Sequence, residues 1–174
     1  MQKHHRYLNL PFELSKPDHF VDGAWGSVPV KQEDVQPALD WLESIELDYL
    51  LFEGFYTPPH DALHIHTDTE SIVDAAKINF TWGHPDSTMR WWKGDTLMKH
   101  TWETGHSYMQ AEEKDCELVY EIPIHKPSLI NGGQLHSTYN PFDEGRWTIS
   151  IVPKLNKDYL TWDEAIEIFR SYIY

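Results

Sequence analysis

The chain has 174 residues, with 14 Lys and Arg against 28 Asp and Glu, for a formal net charge of −14 at pH 7 with histidine neutral. Apolar residues at 40% and aromatic residues at 14% exclude a disordered chain, and the length suits one domain, 1–174, whose core needs no disulfide or structural metal. The acidic balance without a basic run excludes non-specific binding to nucleic acid, and no stretch approaches the roughly 18 apolar residues of a membrane span.

Residues 1–10 are polar, with His4 and His5 adjacent, and lack the apolar core of a signal peptide. A helix is expected over 33–47. There Leu39, Leu42 and Ile45 recur at three-residue spacing with Val35 upstream, and Glu33 and Asp34 complement the dipole of the first turn. Pro37 falls early enough in this segment to be tolerated. The period then changes to two. Segments 49–56, 64–68, 75–83, 89–93, 117–124, 128–131, 134–139 and 147–153 read as strands, short, rich in β-branched or aromatic residues and bounded mostly by Gly, Pro, Asp or Asn. About eight strands with few helical interruptions predict a mainly β double-sheet jelly roll or a barrel, with the first helix outside one sheet. The single Cys116 excludes an intrachain disulfide framework and a Cys-based zinc cluster, fits a reducing, cytoplasmic compartment, and reads as a small packing hydrophobe. Thr161-Trp162-Asp163-Glu164 has the form of a capping box and opens a terminal helix with an apolar face of Ala165, Ile166, Ile168, Phe169 and Ile173.

Two histidine settings stand out among eleven. In His64-Ile65-His66-Thr67-Asp68, a strand would project His66 and Asp68 from one face, an imidazole beside a carboxylate. The other is His136, within Asn131-Gly132-Gly133-Gln134-Leu135-His136-Ser137. A neighbouring strand that places His136 opposite the pair yields two imidazoles and a carboxylate on one side of a metal, the facial arrangement that holds Fe(II) and leaves positions open. Further on, Arg146 and Thr148 share a strand face and suit a carboxylate, because Arg presents a fork of parallel donors and keeps its charge. A 2-oxo acid bound to the metal through its keto and C1 carboxylate oxygens would rest its far carboxylate there.

With these motifs the sequence resembles the 2-oxoglutarate/Fe(II)-dependent oxygenases. The matching features are His66-x-Asp68, the distal His136 and Arg146-x-Thr148, spanning about half the chain. The layout of the Ala-Ala-Lys-Ile-Asn-Phe-Thr-Trp-Gly strand (75–83) and of the segment 131–140 is most similar to the aspartyl/asparaginyl β-hydroxylase branch. Lys77 stands where that branch usually carries Arg, and Asp68 is present where some members lack the carboxylate. The resemblance implies a double-stranded β-helix with flanking N-terminal and C-terminal helices. It also implies Fe(II) on His66, Asp68 and His136, and 2-oxoglutarate on Arg146 and Thr148, with Lys77 and Asn79 as further co-substrate contacts. His66, Asp68, His136 and Arg146 would be the catalytic set of a dioxygenase that hydroxylates a C–H bond, with succinate and CO2 as co-products. Few insertions leave the cleft open, which favours a protein side chain or another large substrate.

Blander readings of the same residues stay open at this stage. His66 and Asp68 also suit a surface ion pair, and His64 shares their face as an alternative ligand. His64-x-His66-x-Asp68 partly matches the metallo-β-lactamase fingerprint, although Thr69 stands where that pattern needs a His. His136 also suits a turn-flanking role with a backbone bond, and Arg146 an exchange with Asp143 or Glu144. By spacing alone, Lys77 and Asn79 face solvent or pocket equally, and Asn131 supports the turn at Gly132 and Gly133. Trp82, Trp91, Trp92 and Trp102 belong to the core or to a cleft. Two rival functions remain: a cupin-like metalloenzyme without 2-oxoglutarate, and a non-enzymatic jelly-roll binding module.

Overall fold

A computed structural model describes residues 3–23, 26–101 and 105–174; Trp102 lies outside them. The strands in chain order are β1 (His5–Tyr7) and β2 (Gly26–Val28), followed by helix α1 (Gln32–Ser44). Next come β3 (Asp48–Thr57), β4 (Asp61–Ala62), β5 (Ile65–His66), β6 (Ala76–Trp82), β7 (Thr88–Gly94), β8 (Met98–Thr101) and β9 (Ser107–Ala111). β10 (Cys116–Pro123), β11 (Ser128–Asn131), β12 (His136–Asn140), β13 (Arg146–Leu155) and β14 (Asp158–Tyr159) follow, and α2 (Trp162–Ile168) closes the order of regular elements. They form two seven-stranded antiparallel sheets. One runs β1-β11-β6-β13-β3-β2 with β14 on β13; the other runs β10-β7-β12-β5-β9-β8 with β4 on β12. The result is a mainly β jelly-roll sandwich with few helices, as the period-two segments imply.

The first helix spans Gln32–Ser44 rather than 33–47. The Lys31 amide donates to the Asp34 carboxylate at its start, and a turn at its end returns the amides of Ile45 and Leu47 to the Leu42 carbonyl. Pro37 therefore lies in the second turn, where its ring removes one intrahelical donor. The terminal helix has the expected reciprocal cap: the Glu164 amide donates to Thr161 Oγ1, and the Thr161 amide donates to Glu164 Oε2. The strands at 5–7, 26–28, 61–62, 98–101, 107–111 and 158–159 were not anticipated; most are edge or two-residue pieces, too short for a period to develop.

The main core lies outside the sandwich. The outer face of the first sheet offers Ile78 and Phe80 from β6, and Trp147, Ile149 and Ile151 from β13. Val35, Leu39, Trp41 and Leu42 of α1, Trp162 of α2 and Phe169, which caps the end of α2, cover it. Trp41 and Phe169 stack with centroids 5.5 Å apart, joining the helices over the sheet. Alternation along β6 and β13 turns Lys77, Asn79, Arg146, Thr148 and Ser150 the other way, between the sheets, where all are buried. Trp82 packs with the main core, and Trp91 is buried with Met89, Ile124 and Ile130. Trp92 packs on Ile65, Ala111 and Leu135, beside Cys116, which sits among hydrophobes as its lone occurrence suggests. None of these three tryptophans lines the cavity or the groove at the cluster described next, although Trp91 is the cross-strand partner of its His136.

Candidate metal centre

His66 on β5 and His136 on β12 are direct partners in the antiparallel register, and their rings face one another with centroids 4.5 Å apart. Each Nδ1 donates to a carbonyl two residues back: His66 to His64 O and His136 to Gln134 O, both at 2.9 Å. That bond fixes the tautomer, so the unprotonated Nε2 of both rings is left facing the site. The backbone bond read as an alternative role for His136 thus serves to orient it.

Asp68 is not on the strand. β5 ends at His66, and the chain folds back because the Asp68 amide donates to Gly132 O at 2.9 Å. The connection from β5 to β6 is clamped further by the segment 131–134. The Asn131 side chain accepts from the Ala75 amide and donates to Asp74, while Gln134 donates to Val73 O and Asp74. Asn131 therefore ties the turn to the loop that carries Asp68. Gly132 is required by contact: a Cβ there would lie 2.4 Å from Asp68 Oδ2.

These local choices bring the three groups together, with one ligand atom from each within 4.8 Å of the others. His66 Nε2 lies 3.5 Å from Asp68 Oδ1, and His136 Nε2 lies 3.6 Å from Asp68 Oδ2. Both separations exceed an ordinary N–H···O bond and suit donors of about 2.1 Å bond length around one ion. The side chains of His66 and Asp68 are only 12% and 17% exposed, which disagrees with a surface ion pair. His64 is not in the cluster; it lines a separate groove with Arg90 and Trp92. Two imidazoles and one carboxylate on one side form a donor set that fits a divalent metal.

Lys77 contacts Asp68 Oδ2 at 3.0 Å and Glu53 Oε2 at 3.6 Å. Burial acts to raise the Asp68 pKa, but Lys77 first, then His136 and His66, hold its carboxyl well below the usual carboxylate range. Burial likewise opposes the Lys77 charge, and Asp68 and Glu53 overcome it and raise its pKa. Burial pushes His136 down to about 4, outweighing Asp68, so the ring is neutral and ready to ligate at pH 7. Lys77 lines the cavity as a co-substrate contact would, but its ammonium already bridges two carboxylates. Asn79 also lines it, accepting from Ser150 Oγ at 2.6 Å and reaching Met89 Sδ at 3.8 Å.

Behind the cluster the cavity ends at Arg146, 2% exposed, with Thr57, Thr138 and Thr148 around it. Arg146 Nη1 donates to Thr148 Oγ1 at 3.0 Å; Nε and Nη2, the donors of one guanidinium edge, have no partner among the described residues. Neither Asp143 nor Glu144 answers it, since Asp143 turns outward to His60. Burial with no counter-charge lowers the Arg146 pKa to about 10, still charged at pH 7. An unpaired buried cation is costly, and a carboxylate accepting from Nε and Nη2 relieves that cost. The sequence carries no sign that Glu53 partners Lys77, since a glutamate on a strand does not announce its partner; it marks Gly132 as a turn residue, but the glycine's steric role depends on the approach of Asp68.

No protein-family model matches the chain, and no curated protein matches it. Among solved structures it is similar to the apo form of ThoJ, a non-heme monooxygenase, at 18% identity and a TM-score of 0.38, covering 70% of this chain and 51% of that one. The ThoJ–nickel complex gives 18% identity and a TM-score of 0.36, covering 70% and 49%. A Shewanella oneidensis protein gives 10% identity and a TM-score of 0.34, covering 77% and 90%. The chain spans about half the length of ThoJ.

Proposed function

We propose that this protein is an Fe(II)- and 2-oxoglutarate-dependent oxygenase that hydroxylates an unactivated C–H bond of its substrate. The observation that carries the reading is the free edge of Arg146, buried in the same cavity as the cluster of His66, Asp68 and His136. His66, Asp68 and His136 would hold the iron. When bound, Fe(II) supplies oxidising chemistry with O2 as 2-oxoglutarate is decarboxylated to succinate and CO2. The work of the chain is positional. His64 O and Gln134 O keep the Nδ1 protons, so both Nε2 atoms stay free as donors. Lys77 keeps Asp68 ionised, and Thr148 orients Arg146 so that Nε and Nη2 meet the far carboxylate of the co-substrate side by side.

Two measurements test this. Under anaerobic conditions, 2-oxoglutarate added to Fe(II)-loaded protein should produce a visible absorption band and bind at one equivalent; in air, succinate should form. Arg146→Met should weaken 2-oxoglutarate binding by two orders of magnitude while leaving metal stoichiometry at one, and His136→Ala should lose the metal. Stoichiometric metal without any 2-oxoglutarate binding overturns the co-substrate assignment in favour of a cupin-like metalloenzyme. Absence of stoichiometric metal overturns the oxygenase reading as a whole.

A further inference from the structure

The candidate metal centre is a wall between two chambers. His66, Asp68, Lys77 and Phe55 border both the narrow cavity that holds Arg146 and a groove of about 690 Å³ in front of the cluster. The groove falls within the roughly 300–1,000 Å³ of small-molecule sites. Its apolar lining comes from Leu50, Leu51 and Phe55 of β3, Val152 of β13, Tyr159 of β14 and Tyr108 of β9. Leu50, Leu51 and Tyr159 are 42%, 40% and 37% exposed. Single exposed hydrophobes are ordinary, but three lining one groove that leads to a buried donor cluster mark a binding surface.

Most polar groups of the same groove are already engaged, although the Glu53 carboxylate stays 45% exposed and Ser27 also lines the groove. Lys77 is held by Asp68 and Glu53, and the His106 ring bonds the Asp68 carbonyl at 2.8 Å. Thr67 donates to Thr69 O, and Thr69 donates to Ser71 O. No unpaired cation here answers an anionic ligand as Arg146 does in the inner chamber, so an anion would be desolvated without a partner. The two chambers therefore differ in one group: an unpaired cation in the inner one and none in the groove.

We propose that the front groove binds the substrate to be oxidised, and that this substrate is a predominantly apolar small molecule without negative charge rather than a protein side chain. Its body packs on Leu50, Leu51, Val152 and Tyr159, with one end against His66 and Asp68. The binding claim rests on the groove alone; that the end at His66 and Asp68 reacts rests on the function proposed above.

N-phenyl-1-naphthylamine, neutral and fluorescent in apolar surroundings, tests the groove on metal-free protein. One equivalent should bind, and the half-exposed Leu50→Asp and Leu51→Asp variants should each raise its Kd at least tenfold. The anionic 8-anilinonaphthalene-1-sulfonate should bind at least tenfold more weakly than the neutral probe. Unchanged affinity in both variants, or equal affinity for the anion, overturns the proposal. Proximity is read separately, as Mn(II)-dependent broadening of the fluorine resonance of 4-fluoroanisole, expected in the parent protein and lost in Leu51→Asp. Broadening that survives in Leu51→Asp overturns the location. Failure of Mn(II) to bind counts against the metal centre alone, because the fluorescence measurements judge the groove without metal.

Discussion

β6 and β13 carry two buried faces built on opposite principles. Outward they present Ile78, Phe80, Trp147, Ile149 and Ile151 to the helices; inward they present Lys77, Asn79, Arg146, Thr148 and Ser150 to the cavity. The outer face stabilises the fold by removing apolar area from water, about 25 cal/mol per Å². The inner face costs stability, because its polar groups lose water and Arg146 recovers only one side-chain hydrogen bond. One backbone thus separates the part that holds the molecule together from the part kept for chemistry.

Substitutions on each face should break or sharpen that division. The largest effect belongs to the outer face: Phe80→Ala should lose about 3–5 kcal/mol in urea unfolding, with metal stoichiometry unchanged in the protein that remains folded. Next is the loop glycine beneath the cluster. Gly132→Ala forces its Cβ against Asp68 and should weaken Co(II) affinity by about 10–100-fold in a competition titration. An unchanged affinity would remove Asp68 from the ligand set. The inner face should then show the opposite sign to the outer one. Arg146→Met, which replaces a buried unpaired cation by a hydrophobe, should raise stability by about 1–2 kcal/mol while 2-oxoglutarate binding weakens by about two orders of magnitude. A destabilised Arg146→Met would mean that the guanidinium has a partner in solution.

The smallest effect lies at the rim of the inner face, where His5 of β1 bonds Ser128 Oγ at 3.0 Å. Burial, then Arg6 and His125, push the His5 pKa down to about 4 from 6.5. Between those values the unfolded chain binds more protons at this site, so its stability contribution is present above pH 6.5 and is lost as pH falls toward 4. Parent and His5→Gln proteins should differ in the slope of unfolding free energy with pH, by about 1 kcal/mol between pH 7 and 5.5. Parallel curves would place His5 in solvent.

Much of this was legible from local pattern. Lys-Ile-Asn-Phe-Thr-Trp and Arg-Trp-Thr-Ile-Ser-Ile alternate so strictly that strands follow, and the capping box at Thr161 and Glu164 sets the last helix. The same alternation conventionally puts the polar face in water; that it is buried depends on the second sheet lying over it, which no residue of β6 or β13 encodes. The pairing of His66 with Asp68 was expected for the wrong local reason. Strand geometry was to align them, whereas β5 stops at His66 and a backbone bond to Gly132 returns Asp68 to the site.

Residue types and their order were enough to specify β-strands, the end helices and the groups proposed to bind a metal and an anion, because period, capping and ligand chemistry belong to neighbours along the chain. Convergence was decided elsewhere. Register sets His66 opposite His136, the missing side chain of Gly132 admits a carboxylate, Glu53 and Asp68 share Lys77, and an apolar groove meets the narrow cavity of Arg146 at one wall. Each depends on contacts between segments far apart in the chain, and such contacts exist only once the sheets have paired and packed.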